Sequence, residues 1–236
     1  MQQYYATKKE NNIMHLNKDD FNHIKNVMRM KEKDSIIVAF DGISYICSLN
    51  KDLISAEVIS EFKVEDNNLD LLVYVPLLQE EKMKFILQHG TELGVSEFIV
   101  VMYNHCKYKL KKSDYDKKLV RWNKILKEAS EQCYRINKPK VSSIIEVKDV
   151  KASESVNILC SLDKDGVKSI KSVLTSKNCN DTISVAFGPE GGLDVKEESL
   201  LESIGFIKTS LGERVLRSET VILYIASIIN YLKESD

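Results

Sequence analysis

GPEGGLDVKE, residues 188–197, follows the strand-like run TISVAF (182–187) and precedes the helix-like run SLLESIGF (199–206). It is a loop between a strand and a helix, and its residue types decide what it can hold. It lacks the Gly-Lys-Ser/Thr ending of a P-loop and the G-x-G-x-x-G spacing of a dinucleotide site. Pro189 fixes one φ and removes one donor. Gly191 and Gly192 allow positive φ and a close approach of the main chain. Asp194 with Glu197 forms a capping box, so the helix expected over 195–204 is capped by its own side chains rather than by an anion. Such a loop offers amides and carbonyls to a neutral or cationic ligand, not to a phosphate. Taken alone, GPEGG is equally a plain strand-to-helix turn.

The flanking chain sets that loop in a repeating pattern. LLVYVPL (71–77), EFIVVMY (97–103), VNILCSL (156–162), TISVAF and GFIKTSL (205–211) read as strands, with helical stretches between or after them. One helix, over 80–93, carries Met83, Ile86, Leu87 and Gly90 on one stripe and has Gly94 at C′. Another, over 115–134, turns Leu119, Trp122, Ile125, Leu126, Ala129 and Cys133 inward. Alternating strand and helix predicts a mostly parallel sheet covered on both faces, with ligands at the carboxyl ends of its strands. Three loops fall there: SLDKDG (161–166), GPEGGL (188–193) and LGERVLR (211–217). The first fails as a calcium loop, because Asp163 and Asp165 run straight into Gly166. In the third, Gly212 permits close approach and Arg214 and Arg217 place two cations in one turn. Both arginines read equally as a solvated surface. Ser218 is a cap candidate for a final helix that is apolar over more than one stripe and so suits a partner subunit.

Upstream, residues 1–68 read as a small β-rich module. SIIVAFD (35–41) and ISYICSL (43–49) meet at Asp41-Gly42, a hairpin dipeptide, and strand character resumes over 53–64. A helix starting at Asn17 is expected to bury Phe21, Ile24, Val27 and Met28. EDNNLD (65–70) reads as the linker to a second domain over 71–236.

The 236 residues carry a net charge of −1, so nucleic-acid binding has to come from local patches. Residues 107–127 supply one, with nine Lys or Arg against two Asp and with Tyr108 and Tyr115 interleaved; a solvated charged face is the other reading. No apolar run approaches the roughly 20 residues that span a bilayer. The five scattered cysteines, without a CxxC, suit reduced thiols in the cytoplasm. Four separated histidines give no metal site.

GPEGGLDVKE together with LGERVLRSETV resembles the RsmE family, the small-subunit ribosomal RNA uridine N3-methyltransferases of the SPOUT superfamily. HIKNVMRMKEKDSIIVAFDG (23–42) resembles that family's N-terminal PUA-like module. MKFILQHGTELGV (83–95) resembles its first C-terminal helix, and RWNKILKEASEQCYRINKP (121–139) its Glu-Gln-x-x-Arg helix. The resemblance implies a PUA-like β-barrel ahead of an α/β domain with a deep trefoil knot, a homodimer, and S-adenosyl-L-methionine as methyl donor. It implies a donor site at Leu162, Gly188, Pro189, Gly191, Gly192, Leu211, Gly212, Val215 and Leu216. Arg217 and Arg214 would stabilise charge on the target base, and Glu190 would accept its proton. RNA contacts would come from Arg29, Lys107, Lys109, Lys111, Lys112, Arg121 and Arg135, with Glu131 and Gln132 near the target base. His89 stands where a lysine is common and Gln3 where an arginine is common. A ribose 2′-O-methyltransferase of the same superfamily and a non-catalytic RNA-binding or ribosome-assembly factor are the alternatives.

Overall fold

A computed structural model describes residues 1–63, 69–163, 166–175 and 181–234. The linker read at 65–70, Asp165 and Cys179 lie wholly or partly outside them. The chain divides into two compact units, Met1–Asn67 with Glu128–Lys138, and Asn68–Lys127 with Pro139–Asp236.

The first unit is a closed barrel of β1 (Gln3–Glu10), β2 (Ile13–Leu16), β3 (Ser35–Phe40), β4 (Ile43–Leu49) and β5 (Ser55–Glu61), in the order β1-β2-β5-β4-β3. Parallel pairing of β1 with β3 closes it. Phe40 pairs with Ile43, leaving Asp41 (φ 49°) and Gly42 (φ 76°) as a two-residue turn with both φ positive, as the dipeptide predicts. Tyr4, Met14, Ile36, Val38, Cys47 and Leu49 fill the interior. The expected helix after Asn17 is shorter than its periodicity suggests. α1 covers only Lys18–Asn22, and His23–Val27 is a π-turn closed by Met28 N–H donating to His23 O at 2.9 Å. The extra residue per turn breaks the 3.6 period, so Ile24 is buried while Val27 and Met28 are exposed.

The second unit holds seven parallel strands in the order β10-β12-β9-β11-β6-β7-β8. They are β6 (Leu71–Pro76), β7 (Glu97–Met102), β8 (Lys140–Glu146), β9 (Val156–Cys160), β10 (Lys168–Ser169), β11 (Ile183–Ala186) and β12 (Ile207–Ser210). Alternating with them are α2 (Glu80–Glu92), α3 (Tyr115–Gln132), α4 (Ile170–Val173), α5 (Val195–Ser203) and α6 (Ser218–Glu234); the end of α3 belongs to the first unit. In α2 the predicted stripe of Met83, Ile86, Leu87 and Gly90 is buried. Gly94, at φ 91°, ends that helix where a C′ glycine belongs. Asn230 of α6 donates to the Leu93 carbonyl at 2.9 Å, tying the last helix to the end of α2.

One feature of this order positions the site. β12, β9 and β11 are consecutive and parallel, with Ile207 opposite Ile158 and Val185 opposite Ile158. Parallel neighbours about 4.8 Å apart end on the same edge, so the loops after Cys160, Ala186 and Ser210 emerge side by side.

Candidate active site

Those three loops enclose a cavity of about 770 Å³, within the size range of small-molecule sites. Leu162, Phe187, Leu211, Val215 and Leu216 supply apolar wall, and Gly188, Pro189, Gly192 and Gly212 supply main chain. Arg214, Arg217 and Lys82 face Asp163, Glu190, Glu198 and Glu213 around it. Cations do not outnumber carboxylates among these lining residues, so the cavity is not built for a polyanion.

Local hydrogen bonds hold each loop. Gly192 N–H donates to Pro189 O at 2.9 Å, closing the GPEGG turn. Asp194 accepts from Glu197 N–H at 2.8 Å while Glu197 accepts from Asp194 N–H at 3.0 Å, so the capping box forms as its sequence predicts. Asn104, after β7, donates its N–H to Glu197 at 2.7 Å and its side-chain amide to Asp194. These donors, the Glu197 amide first, hold the Asp194 carboxyl below the usual aspartate range. α5 therefore presents a carboxylate where a phosphate would otherwise sit. Ser218 begins α6 and its Oγ donates to Gly188 O at 3.0 Å, linking the third loop to the second.

Every predicted donor-site residue lines this cavity except Gly191. A Cβ at Gly191 would stand 2.9 Å from the His105 Cβ. The glycine is needed for packing on the segment after β7, which corrects the expectation that it faces a ligand. Gly212, at φ 117°, sits in open space and is required by its backbone conformation instead.

The three residues read as catalytic, Glu190, Arg214 and Arg217, also line the cavity. Glu190 is not free: its Oε1 accepts from Lys82 Nζ at 2.7 Å. That hydrogen bond, opposed by partial desolvation, lowers the Glu190 pKa, so the group is an ionised carboxylate of weakened proton affinity. Glu219, in the first turn of α6, lies 3.4 Å from the same ammonium. Lys82 and Asn104 escape sequence reasoning, because each is an ordinary polar residue whose partners lie far along the chain.

The basic residues separate into kinds. Lys107, Lys111 and Lys112 are exposed. Lys109 is exposed as a residue, but its ammonium donates to Tyr103 O and Asn104 O. Arg121 pairs with Glu80 at 3.2 Å while remaining 62% exposed in its side chain. Arg29 is exposed, at φ 54°, in the first unit. Arg135 is buried, and its carbonyl accepts from Gln3 Nε2 at 2.7 Å and from Tyr5 Oη at 2.6 Å. An interior guanidinium does not meet a phosphate, so Arg135 is corrected from RNA contact to a residue of the first unit's interior. Glu131 is buried as well. Gln3 is buried too. His89 pairs with Glu92 at 2.8 Å and meets Phe85 edge to face.

Comparison with known proteins sets this fold and cavity among the RNA methyltransferases. The family model of the RNA methyltransferase domain matches residues 65–230, and that of the RNA methyltransferase PUA domain matches residues 16–59. The ribosomal RNA small subunit methyltransferase E of Bacillus subtilis is 35% identical over 228 residues, covering 92% of this chain and 89% of that protein. The protein of the same name from Aquifex aeolicus is 27% identical over 233 residues, covering 97% and 99%. The structure of ribosomal RNA small subunit methyltransferase E from Neisseria gonorrhoeae bound to S-adenosyl methionine superposes with a TM-score of 0.85 at 26% identity, covering 98% of each chain. The chain belongs to the ribosomal RNA small subunit methyltransferase E family, with a PUA-like barrel followed by a parallel α/β methyltransferase domain.

Proposed function

We propose that this protein transfers the methyl group of S-adenosylmethionine to N3 of a uridine in small-subunit ribosomal RNA. The observation that carries the reading is the convergence of the loops after β9, β11 and β12 on one cavity with apolar walls, exposed main chain and no surplus of cations. A methylsulfonium donor has an apolar and a hydrogen-bonding part and no phosphate, and the Neisseria relative holds this donor.

In the reaction the carbon–sulfur bond of the donor breaks, the methyl carbon bonds to N3, and N3 loses its proton. Positioning the two in line is the first task of the cavity. Negative charge develops on the base carbonyl oxygens as the proton leaves, and Arg217 and Arg214 are the cations at hand to stabilise it. Glu190 is the proton acceptor in this reading, weakened but kept ionised by Lys82. The target base has to be unpaired or flipped, because a paired N3 is blocked.

The reading extends to the rest of the protein. The first unit, with Arg29, and the exposed Lys107, Lys111 and Lys112 take the RNA, with Lys109 and Arg121 beside them. The reading includes a trefoil knot in the second unit. An apolar groove on α6, lined by Leu223, Tyr224, Ile228 and Tyr231 among others, supports a homodimer. In this reading the protein works in the cytoplasm, alongside its ribosomal substrate.

Incubation with S-adenosylmethionine and unmodified small ribosomal subunits, followed by nucleoside mass spectrometry, tests the reading. The expected product is 3-methyluridine. A 2′-O-methylated nucleoside would replace it with the ribose-directed activity, and no methyl transfer would leave a binding factor.

A further inference from the structure

We propose that Lys82 is a positioning residue of the reaction, its single ammonium shared between Glu190 and Glu219 so that the Glu190 carboxylate is held at the cavity wall. The inference rests on the methyl-transfer reading above and deepens it.

Lys82 lies in the first turn of α2, Glu190 in the loop after β11, and Glu219 in the first turn of α6. The ammonium therefore joins three elements that are far apart in the chain. It stands 2.7 Å from Glu190 Oε1 and 3.4 Å from Glu219 Oε2. The first contact is a hydrogen bond. The second is the longer and weaker of the two, with Glu219 Oε2 buried. The side chains are 27%, 26% and 15% exposed, so water screens them incompletely.

Two carboxylates about one ammonium leave a single net negative charge beside a cavity read as taking a cationic donor. Lys82 from α2 acts on Glu190 directly, Lys107 from the segment after β7 acts on it at longer range, and Glu219 from α6 reaches it through the shared Lys82 ammonium. Lys82 favours the ionised form of Glu190, and Glu219 draws on the same ammonium and so weakens that effect. The two neighbours therefore act in opposite senses.

That opposition separates positioning from a mere strut. Titration of the Glu190 side-chain carboxyl by carbon-13 NMR, assigned by its loss in Glu190→Gln, reads it in the protein without substrate. Lys82→Met is expected to move the Glu190 midpoint up, Glu219→Gln to move it down, and Lys82→Arg to leave it near the wild-type value. The acid limb of the kcat profile is expected to move in the same directions. Unchanged midpoints in Lys82→Met and Glu219→Gln, or shifts of the same sign, overturn the proposal. If Lys82→Met does not fold, the downward shift in Glu219→Gln decides alone, and its absence overturns the proposal. Calorimetry of the wild-type protein with S-adenosylmethionine keeps the two readings apart. Opposed shifts without donor binding would retain the charge coupling and remove its role in methyl transfer.

Discussion

Arg217 and Gly191 belong to neighbouring loops, after β12 and β11, yet they matter for different reasons. Arg217 faces the cavity, and its charge is useful only as the base becomes anionic. Arg217→Ala is therefore expected to lower kcat by about 100-fold or more while leaving donor affinity nearly intact. Single-turnover methylation and calorimetry together check that split. Gly191 is spent on packing instead. Its missing Cβ is the space that His105 occupies at 2.9 Å. Gly191→Val should destabilise the second unit by about 1–3 kcal/mol through overpacking, measured by denaturant unfolding. Both glycines of the GG pair are visible in the sequence as bare backbone. What each is bare for depends on neighbours contributed by other segments, which the sequence does not name.

At the scale of elements, the loop after β11 is held from its own side and from a neighbour. The Asp194–Glu197 capping box is local and was legible, because its members lie three residues apart on one helix turn. Asn104 joins it from the end of β7, a contact that depends on strand order and was not legible. Asp194→Ala is expected to lower the unfolding temperature and weaken donor binding, since it frees both the first turn of α5 and Asn104. The pH dependence has a definite sign. The folded-state pKa of Asp194 is depressed, so its contribution is complete above the ordinary aspartate value of about 4. It is lost as pH falls through the depressed value. Thermal melts of wild type and Asp194→Ala should therefore converge on acidification. The helix after Asn17 teaches the converse. Its residues were assigned by a 3.6 period, and one π-turn moved Val27 and Met28 to the surface.

For the molecule as a whole, the basic segment and α6 carry the testable consequences. Lys111 and Lys112 are exposed, so changing both to alanine should weaken RNA binding across sequences. It should also reduce the slope of log affinity against log salt by roughly 1–2. Filter binding over a salt series reads this. Tyr224 is 40% exposed on the apolar groove of α6. On the proposed homodimer, wild type is expected to sediment as a dimer and Tyr224→Asp as a folded monomer, because the change leaves the buried stripe of Val221, Ile222, Ile225 and Ile229 untouched.

The sequence alone determined five of the seven strands of the second unit (β8 and β10 were not legible), the Asp41-Gly42 hairpin, the Asp194–Glu197 cap and the three loops that follow β9, β11 and β12. These rest on periodicity and on interactions within a few residues, which a linear string records. Tertiary structure decided the rest: the strand order that brings β9, β11 and β12 together, the His105 contact of Gly191, the burial of Arg135, and the sharing of Lys82 by Glu190 and Glu219. Each depends on residues distant in sequence meeting only when the sheet is assembled. Residue type then fixes what a group can do, while its neighbours across the sheet fix whether it does so.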